Sequence, residues 1–163
     1  MSQESKSVVL PYYLTPDHIL GLIEALHSLG NKVDPMQLGD LLGENIDVLP
    51  HVIDVAEALG LVSVDAKGDL SLTELGEKVV RGNIKSVKSM LKENARRLEP
   101  LNTLLKALSK SRRISVEEYE NILSRYYYVH LNEAKYTILQ WGAFLGLFKM
   151  DGNDEYVYLL HSR

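Results

Sequence analysis

The chain has no cysteine, only one tryptophan and two phenylalanines, and five prolines in 163 residues. Without thiols there is no disulfide, no thiolate nucleophile and no cysteine-ligated zinc or iron–sulfur centre. No apolar run approaches the roughly 20 residues needed to cross a bilayer, so membrane insertion is not expected. The opening residues, Met1 to Lys6, lack the basic region and apolar segment of a secretory signal, and a cytoplasmic location is the expectation. Catalytic patterns are missing too. The histidines, His18, His27, His51, His130 and His161, form no His-Glu-x-x-His and no pair at three- or four-residue spacing. There is no Gly-x-Ser-x-Gly elbow. Glu117, Glu118 and Glu120 are the nearest thing to a carboxylate site, and the same residues describe one capping position and two solvated helix positions. A non-enzymatic chain with no cofactor and no metal is the expectation.

What is present is ordinary for a globular protein: 45% hydrophobic and 25% charged residues, with aromatic content carried mainly by nine tyrosines. The length suits one domain or two small ones. The net charge of −4 conceals an asymmetry. Residues 1–82 carry five Lys/Arg against thirteen Asp/Glu, a net of −8, whereas residues 83–163 carry thirteen against nine, a net of +4. Residues 83–113 alone hold nine basic and two acidic side chains. Such separation fits internal or dimer pairing, or an anionic partner for the middle segment.

The chain also repeats itself. Leu59, Gly60, Leu61 and Asp65 recur eighty-six positions later as Leu145, Gly146, Leu147 and Asp151, each set reading as a helix end followed by a hairpin. Ahead of the first copy, Thr15-Pro16 and Asp34-Pro35 are cap-plus-proline helix starts, and a third helix begins near Asp47 with Pro50 in its first turn. The first helix stops at Gly30 and the second at Gly43, with Leu38, Leu41 and Leu42 inward. Ahead of the second copy, Leu101, Leu104, Leu105 and Leu108 mark one helix, Ser115 to Glu118 form a capping box for the next, and Asn132 caps a third with Ala134, Ile138, Trp141 and Leu145 inward. Tyr119, Ile122 and Leu123 match Leu38, Leu41 and Leu42 at an offset of eighty-one, which places about five extra residues around Tyr126 to Val129. Thr73 caps a helix ending near Gly82, and a longer amphipathic helix follows through Ile84, Val87, Leu91, Ala95 and Leu98. Three helices followed by a two-stranded wing is the winged helix-turn-helix order. The expected fold is therefore mainly α with small β-hairpins (α+β), two tandem winged helix-turn-helix units joined by linking helices. Its expected parts are an N-terminal arm over 1–13, units over 14–82 and 99–163, and a linking helix over 83–98.

Four segments carry a family resemblance: Asp17–Leu29 (DHILGLIEALHSL), Leu49–Leu61 (LPHVIDVAEALGL), Asp69–Gly76 (DLSLTELG), and Trp141-Gly142 ahead of the last hairpin. With these the chain resembles the AAA-associated C-terminal domain, a domain found downstream of the ATP-binding cassette in some nitrate/sulfonate/taurine-type ABC transporter ATPase subunits. The resemblance spans nearly all of residues 11–160 and implies an accessory, regulatory role with a protein partner such as an ABC ATPase subunit, or a homodimer. The chain has no Gly-x-x-x-x-Gly-Lys-Ser/Thr loop, so it is not itself the ATPase, and the expectation is the accessory domain as a separate polypeptide.

Nucleic acid is the competing partner, and it is disfavoured. The outward side of the first unit's third helix shows Asp47, Pro50, His51, Asp54, Glu57 and Ala58, whose carboxylates would meet phosphates with no Lys or Arg. The wing tips, with Asp65, Lys67 and Asp69 in one and Asp151 and Asp154 in the other, are not basic either. A DNA-binding regulator would instead use the basic helix around residues 85–113. There Lys85, Lys88, Lys92 and Arg96 form one helical stripe, followed by Arg112 and Arg113, as a candidate site for an anionic partner. The bland account of the same stripe is a solvated helix face whose long stems cover apolar surface. The candidate protein-contact face is Tyr136, Leu139, Gln140 and Ala143, with Tyr127 from the run Tyr126-Tyr127-Tyr128, since three adjacent helical residues cannot all be buried on one side.

Overall fold

The computed structural model describes residues 7–30, 32–42 and 47–160, with Leu41 and Leu42 described for their backbone only. In chain order the elements are β1 (Val8–Val9), α1 (Pro16–Leu29), α2 (Pro35–Leu42), α3 (Leu49–Ala58), β2 (Val62–Val64), β3 (Leu70–Leu72), α4 (Glu74–Val80) and α5 (Ile84–Asn94). A single 3-10 turn, Ala95–Arg97, leads to β4 (Leu98–Glu99), α6 (Leu101–Ser111), β5 (Arg113–Ser115), α7 (Val116–Ser124), α8 (Leu131–Leu145), β6 (Phe148–Met150) and β7 (Tyr156–Leu159). The fold is mainly helical with small antiparallel hairpins, as the patterning predicts. Two compact units are distinguished, one from residues 16–94, the other from 95–163 together with the N-terminal segment through Thr15. The expected stop of α2 at Gly43 and the inward placement of Leu41 and Leu42 lie outside what is described.

In the first unit, α1 buries Ile19, Leu22, Ile23 and Leu26, the 3.6-residue stripe expected of a helix against a core. Leu38 of α2 and Val52, Val55, Ala56 and Leu59 around α3 complete that core. The hairpin pairs Val62 with Leu72 and Val64 with Leu70, and Val33, in the α1–α2 connection, bridges to Leu70. Thr73 holds the next helix in place: its Oγ1 accepts from the Gly76 N–H at 3.0 Å and its hydroxyl donates to the Gly60 carbonyl at 2.6 Å. Gly76 lets α4 press onto the strand start, for a Cβ there would lie 2.2 Å from the Leu61 carbonyl oxygen. From α5, Asn94 donates from Nδ2 to the Leu59 carbonyl at 2.8 Å.

The second unit repeats the plan with an added strand. Leu101, Leu104, Leu105 and Leu108 of α6, Tyr119, Ile122 and Leu123 of α7, and Ala134, Ile138, Trp141 and Leu145 of α8 are all buried. The sheet order is β5-β7-β6, and Ile114 of β5 faces Val157, the counterpart of the Val33–Leu70 bridge. Ser115 caps α7, accepting from the Glu118 N–H at 3.1 Å. β1 pairs in parallel with β4, Val8 opposite Leu98, and the Trp141 indole N–H donates to the Leu14 carbonyl at 2.7 Å.

The sequence repeat is a repeat of hydrogen bonds. Gly60 and Gly146 both take left-handed backbone, φ 80° and 70°. Leu61 N–H donates to Ala56 O and Leu147 N–H to Gly142 O, so both helices close identically. Asp65 Oδ1 accepts from Lys67 and Asp69 N–H groups, while Asp151 Oδ1 accepts from those of Glu155 and Tyr156, organising each hairpin turn. Three expectations are corrected. The five extra residues do not enter before α8: α3 starts at Leu49 and α8 at Leu131, so both helices follow their predecessors after six residues, and α8 has 15 residues where α3 has 10. His130, not Asn132, occupies the N-cap of α8. The helix expected through Leu98 ends at Asn94, with Leu98 in β4 instead.

Candidate protein-contact surface

One face of α8 is committed to the core, and its stripe of Ala134, Ile138, Trp141 and Leu145 leaves the opposite face to solvent. There Tyr136 is 67% exposed, Gln140 and Ala143 are exposed, and Leu139 is half-buried. Their spacing of three, four and seven residues puts all four on one side of the helix. The turn leading into α8 adds Tyr128, 87% exposed, and Val129, 80% exposed. A tyrosine ring offers large contact area with few rotatable bonds, which is why exposed tyrosines favour interfaces.

The other tyrosines of the run have inward roles. Tyr127 is corrected as a contact residue: it is buried, and its hydroxyl donates to the Leu10 carbonyl at 2.6 Å. Burial, reinforced by nearby Tyr126 and Glu99, raises its hydroxyl pKa, so it holds this bond as a neutral phenol. Tyr126 is half-buried with its hydroxyl 3.1 Å from Thr103 Oγ1. These residues lie in a turn rather than a helix, so Tyr128 alone of the three points fully outward. The N-terminal segment adds residues that helical spacing could not have indicated. Tyr12 stacks on His130, centroids 3.8 Å apart and planes within 7°, and Tyr13 stands edge-on to Tyr12. His130 Nδ1 lies 3.1 Å from Glu133 Oε1 at the first turn of α8. The Tyr12–His130 stack joins residues more than 100 positions apart, beyond any local signal.

The basic residues divide between elements. Lys85 and Lys88 are exposed and Lys92 half-buried on α5, all three at helical spacing. Arg96 lies beyond the end of α5, in the 3-10 turn of the other unit, so the stripe's helical continuity stops at Lys92. Arg112 caps α6 with left-handed φ of 70°, and Arg113 on β5 stacks its guanidinium 4.0 Å from the Tyr156 ring centroid. On α3, His51, Asp54 and Glu57 are exposed, giving the acidic face expected. Glu120 pairs with Lys135 at 2.7 Å, while Glu117 and Glu118 sit exposed in the first turn of α7. Among the described residues no three His, Asp or Glu side chains converge as a metal-binding group, and no helix is long and apolar enough to cross a membrane.

A model of the C-terminal AAA-associated domain family matches residues 36–151, more than half of the chain and including all of α3 through β6. The chain belongs to that family. Among curated proteins and among solved structures, nothing matches it. The match places three of the resembling segments, Leu49–Leu61, Asp69–Gly76 and Trp141-Gly142, inside an AAA-associated domain, and leaves Asp17–Leu29 before its start. The structure gives those segments packing duties. Leu61 receives α4 at Gly76, Thr73 caps that helix, and Trp141 anchors the N-terminal segment. These segments thus belong to the packed scaffold, and the side of α8 away from the core carries Tyr136, Gln140 and Ala143 exposed to solvent.

Proposed function

We propose that this AAA-associated domain is a non-enzymatic regulatory module that binds a protein partner, an ABC transporter ATPase subunit or a second copy of itself, through the outward face of α8. The observation that carries the reading is the exposed Tyr136 beside Gln140, Ala143 and half-buried Leu139, continued by exposed Tyr128 and Val129 in the preceding turn. The two units are two winged helix-turn-helix domains on this reading. It is supported by the shared order of three helices and a hairpin, and by matched strand contacts of Val33 with Leu70 and Ile114 with Val157. The third helix of such a unit ordinarily enters DNA. Here α3 offers carboxylates and α8 offers tyrosine and aliphatic groups, which suit protein better than phosphate.

The test is binding of the purified chain to recombinant ATP-binding subunits of nitrate, sulfonate or taurine-type transporters, with light scattering of the chain alone for self-association. Retention of one such subunit, or a dimer, weakened by Tyr136→Ala and by Ala143→Asp with the fold intact, is expected. A second reading rests on Lys85 and Lys88, exposed and outside the ion pairs found among the described residues. It makes α5 a non-specific contact for nucleic-acid phosphate. Low-salt anisotropy with duplex DNA decides it: binding lost on Lys85→Ala plus Lys88→Ala supports it, and no binding disposes of it.

A further inference from the structure

The first unit carries a groove between α2, α3 and the β2–β3 hairpin, about 430 Å³ in volume. That is within the range of roughly 300–1,000 Å³ typical of small-molecule sites. Its floor is Leu49 and Leu70, both buried, and its walls include Ile53, Met36 and Val64. Met36 is 75% exposed and Val64 also stands open to solvent, so among the described residues apolar side chains flank the groove without cover. Gly39 lines the groove without a side chain, and a Cβ there would make an ordinary 3.5 Å contact with Leu49 Cδ2. Met36, unbranched and polarisable, can mould itself to an occupant.

Charge decides the kind of occupant. Asp40 and Asp54 line the groove, both exposed, and among the described residues no Lys, Arg or His does. Neither aspartate belongs to an ion pair among the described residues. Residues 16–94 carry thirteen Asp/Glu against seven Lys/Arg, so the surrounding field also repels anions and attracts cations. Among the described residues no aromatic ring lines the groove, so the cage by which proteins hold quaternary ammonium groups is not formed by them. Carboxylates recognise a cation best through N–H donors.

We infer that this groove binds a small organic ammonium ion, an apolar aryl or alkyl body carrying a protonated primary amine held by Asp40 and Asp54. The body lies on Leu49, Ile53, Val64 and Leu70, and the ammonium group faces the two carboxylates at the groove edge. The site lies in a different unit from the α8 face, and its failure would leave the reading of that face untouched.

The experiment is an amide NMR titration of the full chain with 2-phenylethylammonium, alongside 2-phenylethanol, phenylacetate and the trimethylated ammonium analogue. Saturable shifts are expected at Gly39, Asp40, Ile53, Val64 and Gly68, with a Kd on the order of 1 mM for so small a probe. The alcohol and the trimethylated analogue are expected to bind about fivefold more weakly, and phenylacetate not at all. Asp40→Asn and Asp54→Asn each weaken the amine about fivefold at exposed positions that leave the fold unchanged. Gly39→Leu fills the groove and abolishes the shifts; should that variant fail to fold, the two aspartate variants carry the test. Absence of saturable shifts at the groove, equal binding of amine and alcohol, or shifts that survive Gly39→Leu in a folded protein would overturn the inference.

Discussion

Substituting Gly76 by alanine tests why the Asp69–Gly76 segment ends in glycine. In an unconstrained helix interior the change would stabilise by about 1 kcal/mol, because alanine loses less backbone entropy on folding. Here the new Cβ would lie 2.2 Å from the Leu61 carbonyl oxygen and 2.9 Å from Leu72 Cδ2. The backbone oxygen cannot rotate away, so α4 and the start of β2 must separate by about 1 Å to reach ordinary contact. Overpacking of this kind costs about 1–3 kcal/mol. The movement also strains the bond from Thr73 N–H to that same carbonyl, now 3.1 Å, which contributes about 1 kcal/mol. After the propensity gain is subtracted, a net loss of about 1–3 kcal/mol remains, or roughly 2–12 °C in Tm for a chain of this size. Gly21 in α1 is the control, since a Cβ there meets nothing within 4 Å. Gly21→Ala should raise Tm by roughly 2–4 °C. Circular-dichroism melts of the two variants beside the parent make the comparison. Equal or higher stability of Gly76→Ala would refute the close approach of α4 to Leu61.

Three further outcomes follow from the same geometry. Tyr127→Phe removes the bond to the Leu10 carbonyl and should cost about 1–3 kcal/mol, with faster amide exchange at Leu10 and its neighbours; unchanged exchange there would contradict the anchoring role. Thr73→Val keeps the volume but loses both the cap to Gly76 and the bond to Gly60, and about 1–2 kcal/mol of stability is expected to disappear in urea unfolding. Tyr119 and Tyr127 have pKa values raised chiefly by burial, so the unfolded chain gives up its phenolic protons first. Their contribution is whole below the unfolded value of about 10 and is lost as pH rises beyond it. Urea midpoints should therefore fall progressively as pH rises above about 10, and a flat profile there would contradict their burial.

The hairpins and helices were legible because their signals are local. Leu59-Gly60-Leu61 and Leu145-Gly146-Leu147 each specify a left-handed helix stop and a strand entry within a few residues, and Asp65 and Asp151 set their turns through adjacent amides. Strands of two or three residues carry no readable alternation, so β1, β4, β5 and the Val33–Leu70 bridge could not be foreseen. The five extra residues are misplaced by motif alignment for a related reason: the matched motifs flank the third helix, and the shift between them falls inside α8 rather than in Tyr126 to Val129. The outward placement of Tyr136, Gln140 and Ala143 on α8 followed from helical spacing alone. Tyr127 did not, because its burial depends on the carbonyl of Leu10, 117 residues away.

The measurement that bears most directly on the account is binding of the chain to a purified ABC ATPase subunit, or to itself, with and without a charge on the α8 face. A defined complex is expected, with affinity dropping at least tenfold for Ala143→Asp and for Tyr136→Ala, both at exposed positions and both folded as the parent. A chain that stays monomeric and ignores every such subunit, or a complex indifferent to both substitutions, would contradict it.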